Sequence, residues 1–216
     1  MQQENRRGSE VVLTAARRGS GGRYYADGSD TIHIVPDSKN LPVEFVESRY
    51  PVRVEQLGLR VDSGGAGEFR GGLGYRKDIR VLEEASFMSV ADRSILACWG
   101  VKGGRAGLPF RVTIDPGGPN ERVLWGLCDD EPIAAGELVR IETTGGGGWG
   151  DPLDRDPELV ALDVLQGKVS PEAAERDYGV VVGDEEATRR LRAELRGERG
   201  EPPFFDRGPG YERLAG

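Results

Sequence analysis

A chain of 216 residues, 37% hydrophobic and 31% charged, is long enough for one sizeable core, or one core plus a small appendage. Its 29 basic and 37 acidic side chains leave a formal charge of -8, which argues against a nucleic-acid partner held through phosphates. No apolar run approaches the roughly 18 residues of a membrane span, nothing near the N-terminus resembles a secretion signal, and two cysteines cannot build a disulfide framework. The composition reads as a soluble, cytoplasmic protein with no membrane contact.

In chain order, residues 1–30 are polar and read as a loosely ordered segment, with one short apolar run at Val11-Val12-Leu13. Residues 31–153 carry short alternating runs broken by Gly and Pro, the pattern of an antiparallel β-rich domain. His33 sits between Ile32 and Ile34, half exposed by alternation. In residues 52–61 the apolar positions are 52 and 54, then 57, 59 and 61. That slip of one residue requires a bulge near Gln56 to keep one face apolar. Further strands are read at 75–81, 87–91, 110–114, 123–127 and 138–141, with DPGGPN at 115–120 as a turn.

The period then changes to that of helices. Asp156-Pro157, Ser170-Pro171 and Asp184 each supply a cap before an amphipathic run. Leu159, Leu162, Val164 and Leu165 are expected to form the apolar face of the first helix. The second helix is read to about Arg176, and residues 179–183 as a strand or extended link. The third ends at Gly197, with Arg189, Arg190, Arg192 and Arg196 as a solvated face. Residues 154–199 thus form a helical C-terminal segment, and 200–216 a flexible tail exposing Phe204-Phe205. The class is α+β: an antiparallel β-rich domain followed by a small helical segment.

Glycine is the outstanding residue, with 33 in the chain, clustered at 20–22, 63–67, 70–74, 102–107 and 145–150. Asp62 and Ser63 open the densest cluster and Arg70 lies within it. Converging amides there would cradle an anion, with Asp62 and Arg70 as fixed charges. The commoner reading is a tight connection between strands. Trp149, inside GGGGWG, either stacks on a ligand or subunit or plugs the domain edge. Asp92 and Arg93 stand at a strand end, a frequent site position that an internal ion pair explains equally well. Cys98 is a nucleophile only with a base beside it, and His33 is the single imidazole; a small buried thiol is commoner. One histidine rules out a His-rich metal site in this chain alone, so no metal ligands are assigned. From the residues alone no catalytic set closes.

The order of the motifs is more specific than any one of them. GGRYYADGSD at 21–30, DSGGAGEFRGGLG at 62–74, ADRSILACWGVKGGRAG at 91–107, GGGGWGDP at 145–152 and GKVSPEAAERDYGVVV at 167–182 resemble the C-terminal part of hydantoinase B. That family is similar to the B-type half of 5-oxoprolinase and to acetone and acetophenone carboxylase subunits. The resemblance, over about residues 20–197, implies a component of a heteromeric, ATP-dependent cyclic-amide hydrolase. In that family an A-type subunit binds ATP and phosphorylates the carbonyl-derived oxygen. The B-type subunit then helps to hydrolyse or carboxylate the activated substrate. It further implies that Asp62, Ser63, Arg70, Asp92, Arg93 and Trp149 hold substrate or shape a subunit interface. The family's metal-binding segment lies N-terminal to the part matched here. ATP and a divalent metal are therefore expected of the complex and not of this chain alone. The expected partners are an A-type ATP-binding subunit and an N-terminal hydantoinase B-type chain. The alternatives are a non-catalytic assembly or regulatory subunit, a truncated remnant, or a small-molecule-binding module.

Overall fold

The computed structural model describes residues 17–33 and 41–215. The run at 11–13, Ile34 and the side chain of His33 lie outside the described residues. The first elements are β1 (Arg17–Arg18), β2 (Ile32–His33), α1 (Val43–Arg49), β3 (Val52–Leu59), β4 (Tyr75–Val81), β5 (Ala85–Val90) and β6 (Gly100–Val101). There follow β7 (Arg111–Ile114), β8 (Arg122–Leu124), β9 (Leu127–Ile133), β10 (Leu138–Glu142) and a 3₁₀ turn at Pro152–Asp154. The chain closes with α2 (Pro157–Leu165), α3 (Pro171–Tyr178), α4 (Glu185–Arg199), β11 (Phe205–Asp206) and α5 (Pro209–Ala215). The result is the expected α+β arrangement of antiparallel sheets followed by helices.

Alternation builds the main sheet, five antiparallel strands in the order β3-β4-β10-β7-β8. Ile79 pairs with Val139, which pairs with Ile114, and these join Val52, Val81, Val112, Ile141 and Phe110 in one buried core. Val46 of α1 closes that core from above the sheet. The other face is ionic. Arg76 and Arg140 both hold the buried Asp78 carboxylate, and Arg80 holds Glu55. The phase slip in β3 is a bulge between Val54 and Gln56, as the apolar spacing requires. A separate two-stranded ribbon, β5 with β9, packs Phe87 against the core and bulges between Phe87 and Ser89.

Beside the sheet lies a second body in which glycine is the commonest residue. Residues 19–22, 63–74, 98–107 and 144–150 run alongside one another as extended segments bonded to different neighbours. The Gly145 amide donates to the Leu108 carbonyl at 3.1 Å, Gly146 to Gly72 at 2.9 Å and Gly148 to Arg105 at 2.9 Å. In return Gly65 donates to Gly146 at 2.8 Å, Gly22 to Gly147 at 2.8 Å and Val101 to Gly148 at 3.0 Å.

Successive glycines face successive partners. A Cβ on Gly145 would land, well under 3.0 Å, on the Ser63 carbonyl. On Gly146 it would strike Ser20, on Gly147 Trp99, and on Gly148 Ala66. Gly145 and Gly148 therefore point the same way, a repeat of three residues. Three residues per turn without internal hydrogen bonds is the polyproline II geometry, and glycine is what lets such chains pack shoulder to shoulder. None of these four glycines has a left-handed φ, so what they supply is space.

Residues 19–30 and 200–215, within segments read from sequence as loose ends, are tied into this body. Gly19 donates to Thr144 at 3.0 Å and Gly28 to Arg70 at 2.7 Å. At the other end β11 pairs with β6, and the Ala106 amide donates to Asp206 at 3.0 Å. Except for the Asp206 carboxylate, these bonds are made by backbone groups, which carry no sequence pattern.

The helices dock on the far side through Val160, Val169, Ala173, Ala174, Tyr178 and Val180, which pack with Ala66 of the glycine body. Asp156, Ser170 and Asp184 cap their helices as expected, accepting from Glu158, Ala173 and Ala187. Three details differ. The buried face of α2 is Val160 and Asp163, while Leu159, Leu162 and Leu165 are exposed, because Asp163 is drawn inward by two arginines. Helix α4 runs through Gly197 to Arg199. Arg192 and Arg196 also leave the solvated face to grip the carbonyls of Tyr178, Arg155 and Leu153.

Candidate functional site

Three of the six singled-out residues serve the scaffold from inside. Asp62, at φ 60°, accepts from the Ser170 amide at 2.8 Å and so ties the glycine body to the start of α3. Ser63 is wholly buried; its hydroxyl donates to Arg60 at 2.6 Å and accepts from Gly74 at 3.0 Å. Arg70 is buried too. It meets Asp30 at 3.2 Å and Asp163 at 3.4 Å, and donates to the Gly71 carbonyl at 2.7 Å. Neither charge faces a cradle: the amides of residues 65, 71 and 72 are spent on carbonyls, and those of 70, 73 and 74 on Asp27, Asp30 and Ser63.

Arg70 belongs to a network that the sequence reading did not single out. Arg155, 2% exposed, grips both oxygens of Asp27 at 2.7 Å, Asp163 at 2.8 Å and the Glu68 carbonyl at 3.0 Å. Its Nε alone has no partner. Lys168 meets Asp30 at 3.2 Å, so the cations Arg70, Arg155 and Lys168 balance the carboxylates Asp27, Asp30 and Asp163. Burial works to raise the Asp27 and Asp30 carboxyls, but the arginines and backbone donors outweigh it and hold both below 3.8. Burial also pushes the Tyr178 phenol beside them far up. The network staples residues 27 and 30, the glycine body and the helical segment together. Only the flanking acids in DRD and the closely spaced Asp27 and Asp30 hinted at it, and no periodicity marks such residues.

Trp149 is half-buried at the end of the glycine body. Its ring lies 5.8 Å from that of Phe69 and 5.3 Å from the Lys102 ammonium, while its backbone bridges Phe69 and Val101. It plugs the body's edge.

Asp92 and Arg93 come together elsewhere, on an open cleft of about 760 Å³ that Cys98, Trp99, Ile95 and Leu127 also line. Arg93 adopts φ 64° and donates to the Ala97 carbonyl at 3.2 Å, while its own carbonyl accepts from Phe110 at 2.8 Å. This fixes the turn that forms the cleft wall. Arg207 covers the Trp99 ring at 5.1 Å. The cleft has one acid, one base and one half-buried thiol over an apolar floor.

A metal does not fit the described residues, because no group of three or more His, Cys, Asp or Glu is placed to hold one. The one dense carboxylate cluster, Asp27 with Asp30 and Asp163, is already neutralised by its three cations. Nor do the amides of Gly65, Gly71, Gly72, Gly145, Gly146 and Gly148 fit the phosphates of ATP, since carbonyls occupy them. Among the described residues no helix is long and apolar enough to cross a membrane.

Comparison with known proteins places this architecture. The family model described as Hydantoinase B/oxoprolinase matches residues 1–152. An uncharacterised protein of Methanocaldococcus jannaschii is 37% identical over 161 residues, 71% of this chain and 28% of its own length. The caprolactamase subunit beta of Pseudomonas jessenii is 34% identical over 168 residues, 70% of this chain and 28% of its own. The crystal structure of the ATP-dependent caprolactamase from that organism superposes with a TM-score of 0.72 at 31% identity, over 84% of this chain and 34% of that one. A nucleotide-free acetone carboxylase shares the fold at a TM-score of 0.67 and 24% identity, over 85% of this chain and 30% of that one. The chain thus spans under a third of the length of the curated relatives it matches. It belongs to the hydantoinase B/oxoprolinase family.

Proposed function

We propose that this chain supplies the glycine-bundle scaffold of an ATP-dependent cyclic-amide hydrolase of the hydantoinase or 5-oxoprolinase type, acting in the cytoplasm. On this reading it works only with an A-type ATP-binding subunit and an N-terminal hydantoinase B-type polypeptide, and ATP and a divalent metal are bound on those chains. The observation that carries the reading is the caprolactamase likeness, which covers 84% of this chain at 31% identity. Asp92 and Arg93 are then the residues best placed to touch substrate or a neighbouring subunit, because they alone of the six singled out line the open cleft.

A second reading, a non-catalytic assembly or regulatory subunit of such a complex, is favoured by one specific finding. Asp62, Ser63 and Arg70 are consumed in structural bonds, leaving no closed catalytic set among the described residues.

Reconstitution tests both. The purified chain alone is expected to open neither hydantoin, 5-oxoproline nor caprolactam in the presence of ATP and Mg²⁺. Mixed with A-type and N-terminal B-type chains, it should restore ring opening coupled to phosphate release. Turnover by the isolated chain overturns the partner-dependent reading, and full turnover by the mixture without this chain overturns its place in the enzyme. Wild-type turnover with Asp92→Ala and Arg93→Ala supports the assembly reading over a direct role for the cleft.

A further inference from the structure

The ribbon of β5 and β9 exposes what a sheet normally hides. Alternation sends Phe87 and Ser89 inward and Met88 and Val90 outward, and Val90 pairs directly with Leu127 on the same outer face. Val90 is 80% exposed, Leu127 69%, Trp125 66% and Met88 58%. Leu127 is also a wall of the 760 Å³ cleft, so this face continues without a break onto Ile95, Trp99 and Leu214. Contiguous exposed apolar surface of this kind marks an interaction site in a stable protein. A two-stranded ribbon is moreover marginal in water unless something packs against it.

The rim is acidic. Glu83 and Glu84 lead into β5, Asp129 and Asp130 form the bulge opposite Met88, and Asp92 borders the cleft; all five are exposed. Among the described residues none of the five makes a salt bridge, and the two cations at the cleft, Arg93 and Arg207, are turned to the Ala97 carbonyl and to the Trp99 and Tyr211 rings. An apolar centre with unpaired carboxylates around it fits an apolar patch ringed by Lys and Arg.

We infer that the outer face of β5–β9, with the adjoining cleft, is the seat of the hydantoinase B-type polypeptide that makes up the remaining two-thirds or more of the relatives' length. This rests on the proposed function for the identity of the occupant, and the face itself stands on exposure, pairing and charge. The relatives carry that additional polypeptide in the same chain as the matched segment, so a surface must join the two parts.

The test uses the part of the Pseudomonas jessenii caprolactamase subunit beta outside the matched segment, produced as a separate chain, and measures its binding to this protein by sedimentation velocity. A one-to-one complex is expected, weakening as salt screens the acidic rim. The double variant Val90→Asp, Leu127→Asp should weaken it about 10-fold or more, as a charge buried at an interface does, with an unchanged Tm because both side chains are exposed. Leu165→Asp on the distant face of α2 serves as control and should bind as wild type. Absence of a complex, binding indifferent to the double variant, or self-association of this chain that the double variant abolishes each overturns the inference. If the complex forms but no ring opening follows once the A-type subunit, ATP and Mg²⁺ are added, the proposed function fails and this face stands. If ring opening requires the added chain yet survives the double variant, the face fails and the proposed function stands.

Discussion

The five-stranded sheet and the glycine body lie side by side and are held together by opposite means. In the sheet, side chains do the work: Ile79, Val112, Ile114 and Val139 interdigitate, and each strand tolerates small adjustments because a side chain can change rotamer. In the glycine body the surfaces that touch are backbone. Gly145 to Gly148 lie against the carbonyls of residues 63, 20, 99 and 66 in turn, and every bond runs to another segment. The first kind of packing degrades gradually under mutation. The second has no soft component and should fail at once.

The sharpest test of that contrast is Gly147→Ala. Its new methyl would overlap the Trp99 carbonyl, and no rotamer change can relieve a backbone clash. The loss should exceed the 1–3 kcal/mol that overpacking a core typically costs, about as much as a marginally stable domain can bear. The expected outcome is insoluble protein or loss of a cooperative melting transition by circular dichroism. A Gly147→Ala protein that melts like wild type would show that the segments can part, and the distinction drawn here would collapse.

Next comes Arg155→Ala, which leaves Asp163 and Asp27 without their principal partner. Removing one member of a buried charge network costs about 3–5 kcal/mol, read as a fall in the denaturation midpoint. Because the network is neutral as a whole, the double variant Arg155→Leu, Asp163→Leu should lose less than the single one. Equal losses would mean that packing volume matters at this position and charge does not.

Acid probes the same staple more gently. Arginines and backbone donors hold the Asp27 and Asp30 carboxyls below the usual carboxylate range, so their contribution is fully present above the unfolded value and disappears as pH falls through the lowered folded values. Stability should therefore drop steeply below about pH 4, and Asp27→Asn, Asp30→Asn should flatten that slope while lowering stability at neutral pH. A slope unchanged by the double variant would place the acid lability in the sheet's own pair, Asp78 with Arg76 and Arg140.

The smallest effect is expected in the sheet itself. Ile79→Val removes one methyl from a site that can partly close, at a cost of about 1 kcal/mol, visible as a modest shift in Tm. A loss as large as that of Gly147→Ala would mean that the sheet is no softer than the glycine body.

Much of this molecule was legible in advance wherever one residue type has one local consequence. The slip between positions 54 and 57 announced the bulge at Val54/Gln56, and Asp156, Ser170 and Asp184 announced helix starts. Asp115 and Gly117, both at positive φ, form the turn that DPGGPN implied. Where reading failed, a distant partner had outvoted a local preference. Gly197 did not stop α4, because it lies in open space, costs only about 1 kcal/mol in a helix, and the next turn is held by Arg199 on the carbonyls of Arg176 and Asp177. The leucines of α2 stayed outside since Asp163, one of its least hydrophobic residues, was required by Arg70 and Arg155. Of the candidate site, Asp92 and Arg93 were found at an open cleft, while Arg70 turned out to be a strut.

Strand alternation, helix caps and turn chemistry were written into the order of residues, because each acts within a few positions along the chain. The meaning of the 33 glycines was not. Glycine has no side chain to signal a direction, so a cradle for an anion and a bundle of backbones spell the same letters. Folding separated them by bringing residues 20, 63, 99 and 146 together and pairing glycine amides such as those of Gly145, Gly146 and Gly148 with carbonyls from elsewhere in the chain.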